Sequence, residues 1–170
     1  MQLVAQASIT SAAPGPTADP AIRGGDVDDQ KRKLARLFIE AIPHAKALGM
    51  TLDQIDDAKS VLSMPYDPRL IGDPQTGVIH GGAVFALMDT CCGAAVMSHP
   101  TAPISTATID LRIDYMRPAT PGQRITARAE CYHVTRSVAF VRATAHDEDA
   151  GRIVAMATGA FTLERAGVRT

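Results

Sequence analysis

The sequence predicts an α+β domain in which a mostly antiparallel, curved sheet wraps round one long buried helix. Three observations carry that expectation. The stretch 78–99, VIHGGAVFALMDTCCGAAVMSH, opens on a His-Gly-Gly turn and continues as an apolar run that leaves no polar face on an ideal helix. After it the apolar period changes from helical to alternating, over four segments in close succession. Those segments are rich in alanine, and small side chains on a concave sheet let a helix lie close to it. The chain has 170 residues, 46% of them hydrophobic, which suits a single packed domain.

Residues 1–28 are rich in Ala, Pro, Gly, Ser and Thr, contain Pro14, Pro16 and Pro20, and show no apolar period. That is the composition of a flexible tail, and it lacks the basic start and continuous apolar run of a secretory signal. The single domain is expected over 29–165. Asp28 or Asp29 can cap a helix running to about residue 42, where Pro43 ends or kinks it. Leu34, Leu37, Phe38 and Ile42 recur at helical spacing, and Lys31, Arg32, Lys33 and Arg36 form the solvated face. Two strands are expected over 48–56 and 59–66, with Asp56 and Asp57 as the turn. Pro65, Pro68, Gly72, Pro74 and Gly77 then break up the chain into a loop long enough to wall a cleft, with Leu70, Ile71 and Val78 as candidate lining.

The helix over about 82–97 has roughly 16 residues, short of the roughly 20 that cross a bilayer, so burial inside a soluble fold is expected. In the strand over 104–116, Ile109, Leu111, Ile113 and Tyr115 share one face and Thr108, Asp110, Arg112 and Asp114 the other. Further strands are expected over 124–133, with Ile125, Ala127, Ala129 and Cys131 on one side, over 137–146, and over 152–163.

A formal net charge of −1 gives no excess for a polyanion, so neither nucleic acid nor an anionic membrane is expected as a partner. Cys91, Cys92 and Cys131 form neither a metal-ligand set nor an even disulfide framework, and they read as small buried hydrophobes in a reducing cytoplasm. No phosphate-binding loop, dinucleotide fingerprint or metal constellation is present, so neither a cofactor nor a metal is implied.

The chemistry concentrates at the apolar helix. Asp89 is its one carboxylate, and an ionised carboxylate in or beside a core must be hydrogen-bonded, neutral or open to a cleft. A structural and a catalytic Asp89 both satisfy that condition. Gly81 and Gly82 have no side chain to hold a ligand away, and the first amides of a helix lack intrahelical acceptors. Such a turn suits a carbonyl oxygen becoming an oxyanion, although Gly-Gly also serves simply to enter a helix.

The run His80-Gly81-Gly82, then Leu87, Asp89 and Gly93, followed by Ile109-Asp110-Leu111-Arg112-Ile113-Asp114-Tyr115-Met116-Arg117-Pro118, resembles the hotdog-fold acyl-CoA thioesterases of the phenylacetic-acid-degradation (PaaI-like) family. The likeness covers about 48–163. It implies a hotdog fold, assembled as a homodimer or a dimer of dimers by joining sheets edge to edge, with the acid of one subunit facing the helix N-terminus of the other. By the same resemblance Asp89 is the catalytic acid, as general base or nucleophile. Gly81 supplies the backbone N–H that polarises the thioester carbonyl, and Gly82 is a candidate second donor. His80 orders the loop or approaches the thioester, and Thr108 stands where relatives place a water-orienting serine. One position departs from the pattern. Some relatives carry an asparagine six residues before the motif histidine, where this chain has Pro74, and Gln75 beside it is the candidate replacement.

By the same resemblance, which implies binding near the strand after the helix and the hairpin before the fifth strand, Arg117, Arg136 and Ser137 are the candidate anchors for coenzyme A, which enters as part of the substrate. Phe85, Met88 and Ile71 are the candidate acyl-pocket residues. The expected function is hydrolysis of an aryl- or medium-chain acyl-CoA to free acid and CoA. The alternative is a non-catalytic acyl-CoA binding or sensing hotdog module, to which a buried acid facing the carbonyl would be of no use.

Overall fold

The computed structural model describes residues 37, 39, 41–101 and 103–164. The tail expected over 1–28 and most of the helix expected over 28–42 lie outside the described residues. Leu37, Ile39 and Ala41 are helical. Within that helix Ile39 is buried and Leu37 exposed, so the apolar stripe does not run through Leu37 as its spacing suggested. Pro43 opens a new helix, α1 (Pro43–Ala47), at the first turn, where its missing N–H leaves no bond unmade.

Strands β1 (Thr51–Asp56) and β2 (Lys59–Met64) pair antiparallel. Their turn falls on Asp57 and Ala58, one residue later than expected, with Ala58 in the left-handed region at φ 58°. The segment before His80 is more ordered than a loop. After a 3-10 turn at Pro68–Leu70, β3 (Ile71–Asp73) and β4 (Val78–Ile79) form a short hairpin. Asp73 closes that hairpin by accepting from Gln75 N at 3.0 Å and Thr76 Oγ1 at 2.6 Å. A polar side chain bonding its own turn is a signal that proline and glycine counting does not capture.

Helix α2 (Gly81–Met97) is followed by β5 (Thr108–Tyr115), β6 (Ile125–Val134), β7 (Val138–His146) and β8 (Ile153–Thr162). The six-stranded sheet runs β1-β2-β6-β7-β8-β5 with every neighbour antiparallel, and α2 packs chiefly on β2, β6 and β7. The α+β expectation therefore holds. Ala127, Ala139, Ala145 and Ala155 are fully enclosed on the helix side of the sheet, where Leu87, Met88, Cys91 and Ala95 of α2 are also fully enclosed. A methyl at those strand positions leaves room for the helix to approach, and the alanine-rich alternation is the reason it does. Burial pushes the Cys91 thiol up to about 11 and the Cys92 thiol well above its ordinary value, so neither is a thiolate near neutral pH. No helix among the described residues is long and apolar enough to cross a membrane.

Arg117 joins the β5–β6 connection to the turn between β7 and β8. Its Nη1 and Nη2 each lie 2.7 Å from a carboxylate oxygen of Asp147, whose side chain is 0% exposed. Thr120 N and Oγ1 donate to Asp147 as well, at 3.0 and 2.9 Å. These bonds, the Arg117 guanidinium first, hold the Asp147 carboxyl well below the usual carboxylate range. A carboxylate whose folded pKa is depressed stabilises the fold fully above its unfolded pKa, near 4, and loses that contribution as pH falls toward the folded value. Asp147→Ala is thus expected to lower Tm by on the order of 10 °C at neutral pH. In a thermal-melt series the gap between variant and wild type should close as pH drops below about 4. A gap constant across that range would separate Asp147 from acid stability.

Candidate active site

The N-terminus of α2 is capped by its own histidine. His80 holds an extended backbone (φ −58°, ψ 133°), and its Nδ1 accepts from Gly82 N at 2.9 Å. With Nδ1 occupied as an acceptor, the ring proton of neutral His80 sits on Nε2. Ala83 N donates to His80 O at 3.0 Å. Two of the first amides are therefore spent, and Gly82 is not a free second donor. Gly81 N–H, the first of the helix, has no acceptor among the described residues. Side chains at both glycines would crowd their neighbours, Gly82 more than Gly81. A Cβ on Gly82 would lie 2.9 Å from His80 Nδ1, and one on Gly81 would lie 3.3 Å from the Tyr115 ring and hydroxyl. Tyr115 donates from that hydroxyl to Gly81 O at 2.7 Å, which ties the helix start to the end of β5.

At the other end of β5, Thr108 Oγ1 donates to Asp89 Oδ1 at 2.7 Å. Strict alternation would put Thr108 on the face opposite Leu111, Ile113 and Tyr115, and the register shows why it is not there. Thr108 pairs with Phe161 but Asp110 pairs with Ala160, so Ile109 is an extra residue in the strand. Such a bulge shifts the alternation by one and turns Thr108 to the helix side. Ile109 itself is 56% exposed.

Asp89 is half-buried, and α2 is not covered all round as its composition suggested. Gly82, Phe85, Ala86, Asp89, Thr90 and Gly93, spaced three and four apart, form a stripe that the sheet leaves open, with Phe85 40% exposed. Gly81 and Asp89 lie eight residues apart, about 12 Å along the helix axis. One carbonyl cannot touch both within a single chain.

The remaining candidates are dispersed. Gln75 stands exposed in the β3–β4 turn with its N–H on Asp73, beside exposed Pro74. Met88 is 0% exposed and presents no surface to a ligand. Arg117 is committed to Asp147. Arg136 and Ser137 are exposed in the β6–β7 turn. Ala139, Phe161 and Thr108 share one register line, so that turn lies at the Thr108 end of the sheet, whereas Arg117 lies at the Tyr115 end. The Tyr115 hydroxyl was not legible as a site group, because an aromatic in an alternating strand reads as core. A hollow of about 430 Å³ opens beside Gly81 and Tyr115. A larger one of about 540 Å³ lies on the outer face of the sheet, away from α2, and is bordered by Arg128, Arg142 and Thr158.

The sequence profile of the Thioesterase superfamily matches residues 76–154, which span the α2 turn, Asp89 and β5. The medium/long-chain acyl-CoA thioesterase YigI of Salmonella typhimurium is 30% identical over 135 residues, 71% of this chain and 86% of that protein. The chain belongs to the thioesterase superfamily. Its fold is the hotdog fold. The structure of Escherichia coli PaaI, from the phenylacetic acid degradation operon, superposes with TM-score 0.72 at 23% identity, covering 81% of this chain and 95% of that one. A Pseudomonas aeruginosa protein of known crystal structure is 42% identical, with TM-score 0.67 and coverage of 75% and 95%. The resemblance read from the HGG–Asp89 and β5 motifs is thereby borne out at the level of family and fold.

The Thr108 hydroxyl fixes one oxygen of the Asp89 carboxylate. Thr108→Ala is expected to lower kcat by about 10- to 100-fold, the cost of one hydrogen bond to a charged group, with little change in KM. Thr108→Ser should restore most of the loss, because it keeps the hydroxyl. Equal rates for Ala and Ser in steady-state assays would remove Thr108 from the site.

Proposed function

We propose that this chain is an acyl-CoA thioesterase that hydrolyses a medium-chain acyl-CoA to the free acid and CoA, at a site shared between two copies. The observation that supports it best is an amide without an acceptor among the described residues, Gly81 N–H at the start of α2, and a hydroxyl-held carboxylate, Asp89, about 12 Å further along the same helix. Strand β5 is one of the sheet's two edges, with Ile109 and Tyr115 exposed along it. Antiparallel pairing of two β5 edges about a two-fold axis would set the Thr108 end of one copy against the Tyr115 end of the other. That arrangement would bring Gly81 of one copy toward Asp89 of the other, as a thioester group shared by both requires.

In the reaction that follows, the thioester oxygen accepts from Gly81 N–H, and negative charge building on it is met by the α2 dipole. Thr108 occupies one Asp89 oxygen, and the other takes a proton from the attacking water. Collapse of the tetrahedral species breaks the C–S bond, and the proton passes to the departing thiolate. Arg136 and Ser137, exposed at the Thr108 end, are the candidates to meet the CoA phosphates. The similarity to YigI, a medium/long-chain acyl-CoA thioesterase, supports an aliphatic substrate.

The test is release of free thiol from phenylacetyl-, benzoyl-, medium- and long-chain acyl-CoAs by the purified protein. Turnover with a medium-chain preference is expected. Tight binding of the esters without thiol release would make the chain an acyl-CoA binding module instead.

A further inference from the structure

The hollow beside Gly81 is walled by Ile79, Val84, Met116, Pro118, Ala119 and Val154. Ile79, Val84, Ala119 and Val154 are buried and form its deep side, while Met116 is exposed at the rim. Its volume, about 430 Å³, lies within the range of small-molecule sites. Arg117 also reaches the wall, but both its Nη atoms are on Asp147. No carboxylate among the described residues lines the hollow. The Tyr115 ring lies against Gly81, and apart from Arg117 the other described walls are aliphatic, so among the described residues the hollow has no second aromatic face to stack a ring. None of Phe85, Met88 and Ile71, the acyl-pocket candidates of the sequence, borders it.

We infer that this hollow receives the aliphatic acyl chain of the substrate, and that Ala119 and Val154 on its deep side set the chain length the enzyme prefers. The inference rests on the proposed thioesterase reading. A carbonyl carbon held at Gly81 N–H leaves its alkyl tail at the mouth of the hollow, and each methylene that enters leaves water for an apolar wall. Chain extension should therefore raise kcat/KM by about fourfold per methylene until the tail meets the deep wall, and lower it beyond that point. Enlarging Ala119 shortens the space from inside, and trimming Val154 lengthens it.

The experiment measures kcat/KM for straight-chain acyl-CoAs from butanoyl to palmitoyl with wild type, Ala119→Leu and Val154→Ala, after thermal melts confirm folding. Ala119→Leu is expected to move the maximum to chains shorter by about two carbons, and Val154→Ala to move it the other way. The opposite signs keep the test decisive if one variant fails to fold. A maximum that stays in place in the folded variants, with all chain lengths scaled alike, overturns the assignment and leaves the thioesterase reading standing. No thiol release by wild type from any ester overturns both.

Discussion

Asp89→Asn is expected to lower kcat by roughly 10²- to 10⁴-fold, the share of a positioned general base. The substitution keeps the shape of the side chain and its acceptor for Thr108 Oγ1, so the α2–β5 contact survives and Tm should stay close to that of wild type. It removes only the capacity to take a proton. KM for the acyl-CoA should change little, since nothing in the proposed mechanism has Asp89 bind the ground-state ester. A folded Asp89→Asn protein with near wild-type turnover would overturn the mechanism. Single-turnover hydrolysis in isotopically labelled water separates the two roles open to the acid. Label in the released acid alone supports water attack with Asp89 as base, whereas label retained in Asp89 requires attack by the carboxylate itself.

Gly81→Pro deletes the candidate oxyanion donor at little expected cost to the helix. Proline is favoured in the first turn, where its absent N–H has no helical acceptor. His80 already has the extended backbone that a following proline requires. Loss of one oxyanion donor is worth about 10²- to 10³-fold in kcat. Gly81→Ala is the matched control, because its Cβ presses on Tyr115 from the same position while its N–H remains. If Ala and Pro are equally impaired, crowding of Tyr115 explains the loss and Gly81 N–H is not the donor. The two inactive variants also test the shared site. Co-refolded Asp89→Asn and Gly81→Pro chains should form mixed dimers with one intact site each, and recover about a quarter of wild-type activity. No recovery from verified mixed dimers would place both groups in one chain.

Legibility from the sequence followed the range of the signal. Helix α2 was readable from its apolar run, and β6, β7 and β8 from their alternation, because burial period is a local property of a regular element. Of the helix expected before Pro43, the described residues Leu37, Ile39 and Ala41 are helical, yet the buried side was misjudged at Leu37 and Ile39. Ile71–Ile79 read as a loop because its hairpin is closed by Asp73 rather than by an apolar pattern. The open stripe of α2 was hidden by composition, since Phe85 and Ala86 look as buried as Leu87 until the sheet is in place.

The sequence by itself determined the α+β class, the position of the long helix, the alanine-rich face it lies on, and the pairing of His80-Gly81-Gly82 with Asp89 that marks the family. Each depends on residue type and spacing within one element. Only the tertiary structure decided that Thr108 reaches Asp89, that Gly81 rather than Gly82 keeps a free amide, that Arg117 is held by Asp147, and that Met88 is sealed in the core. The bulge at Ile109 is a mismatch between β5 and β8, and the Arg117 pair joins a strand connection to a turn far along the chain. Contacts of that kind arise from pairing between distant segments, and no period within either segment carries them.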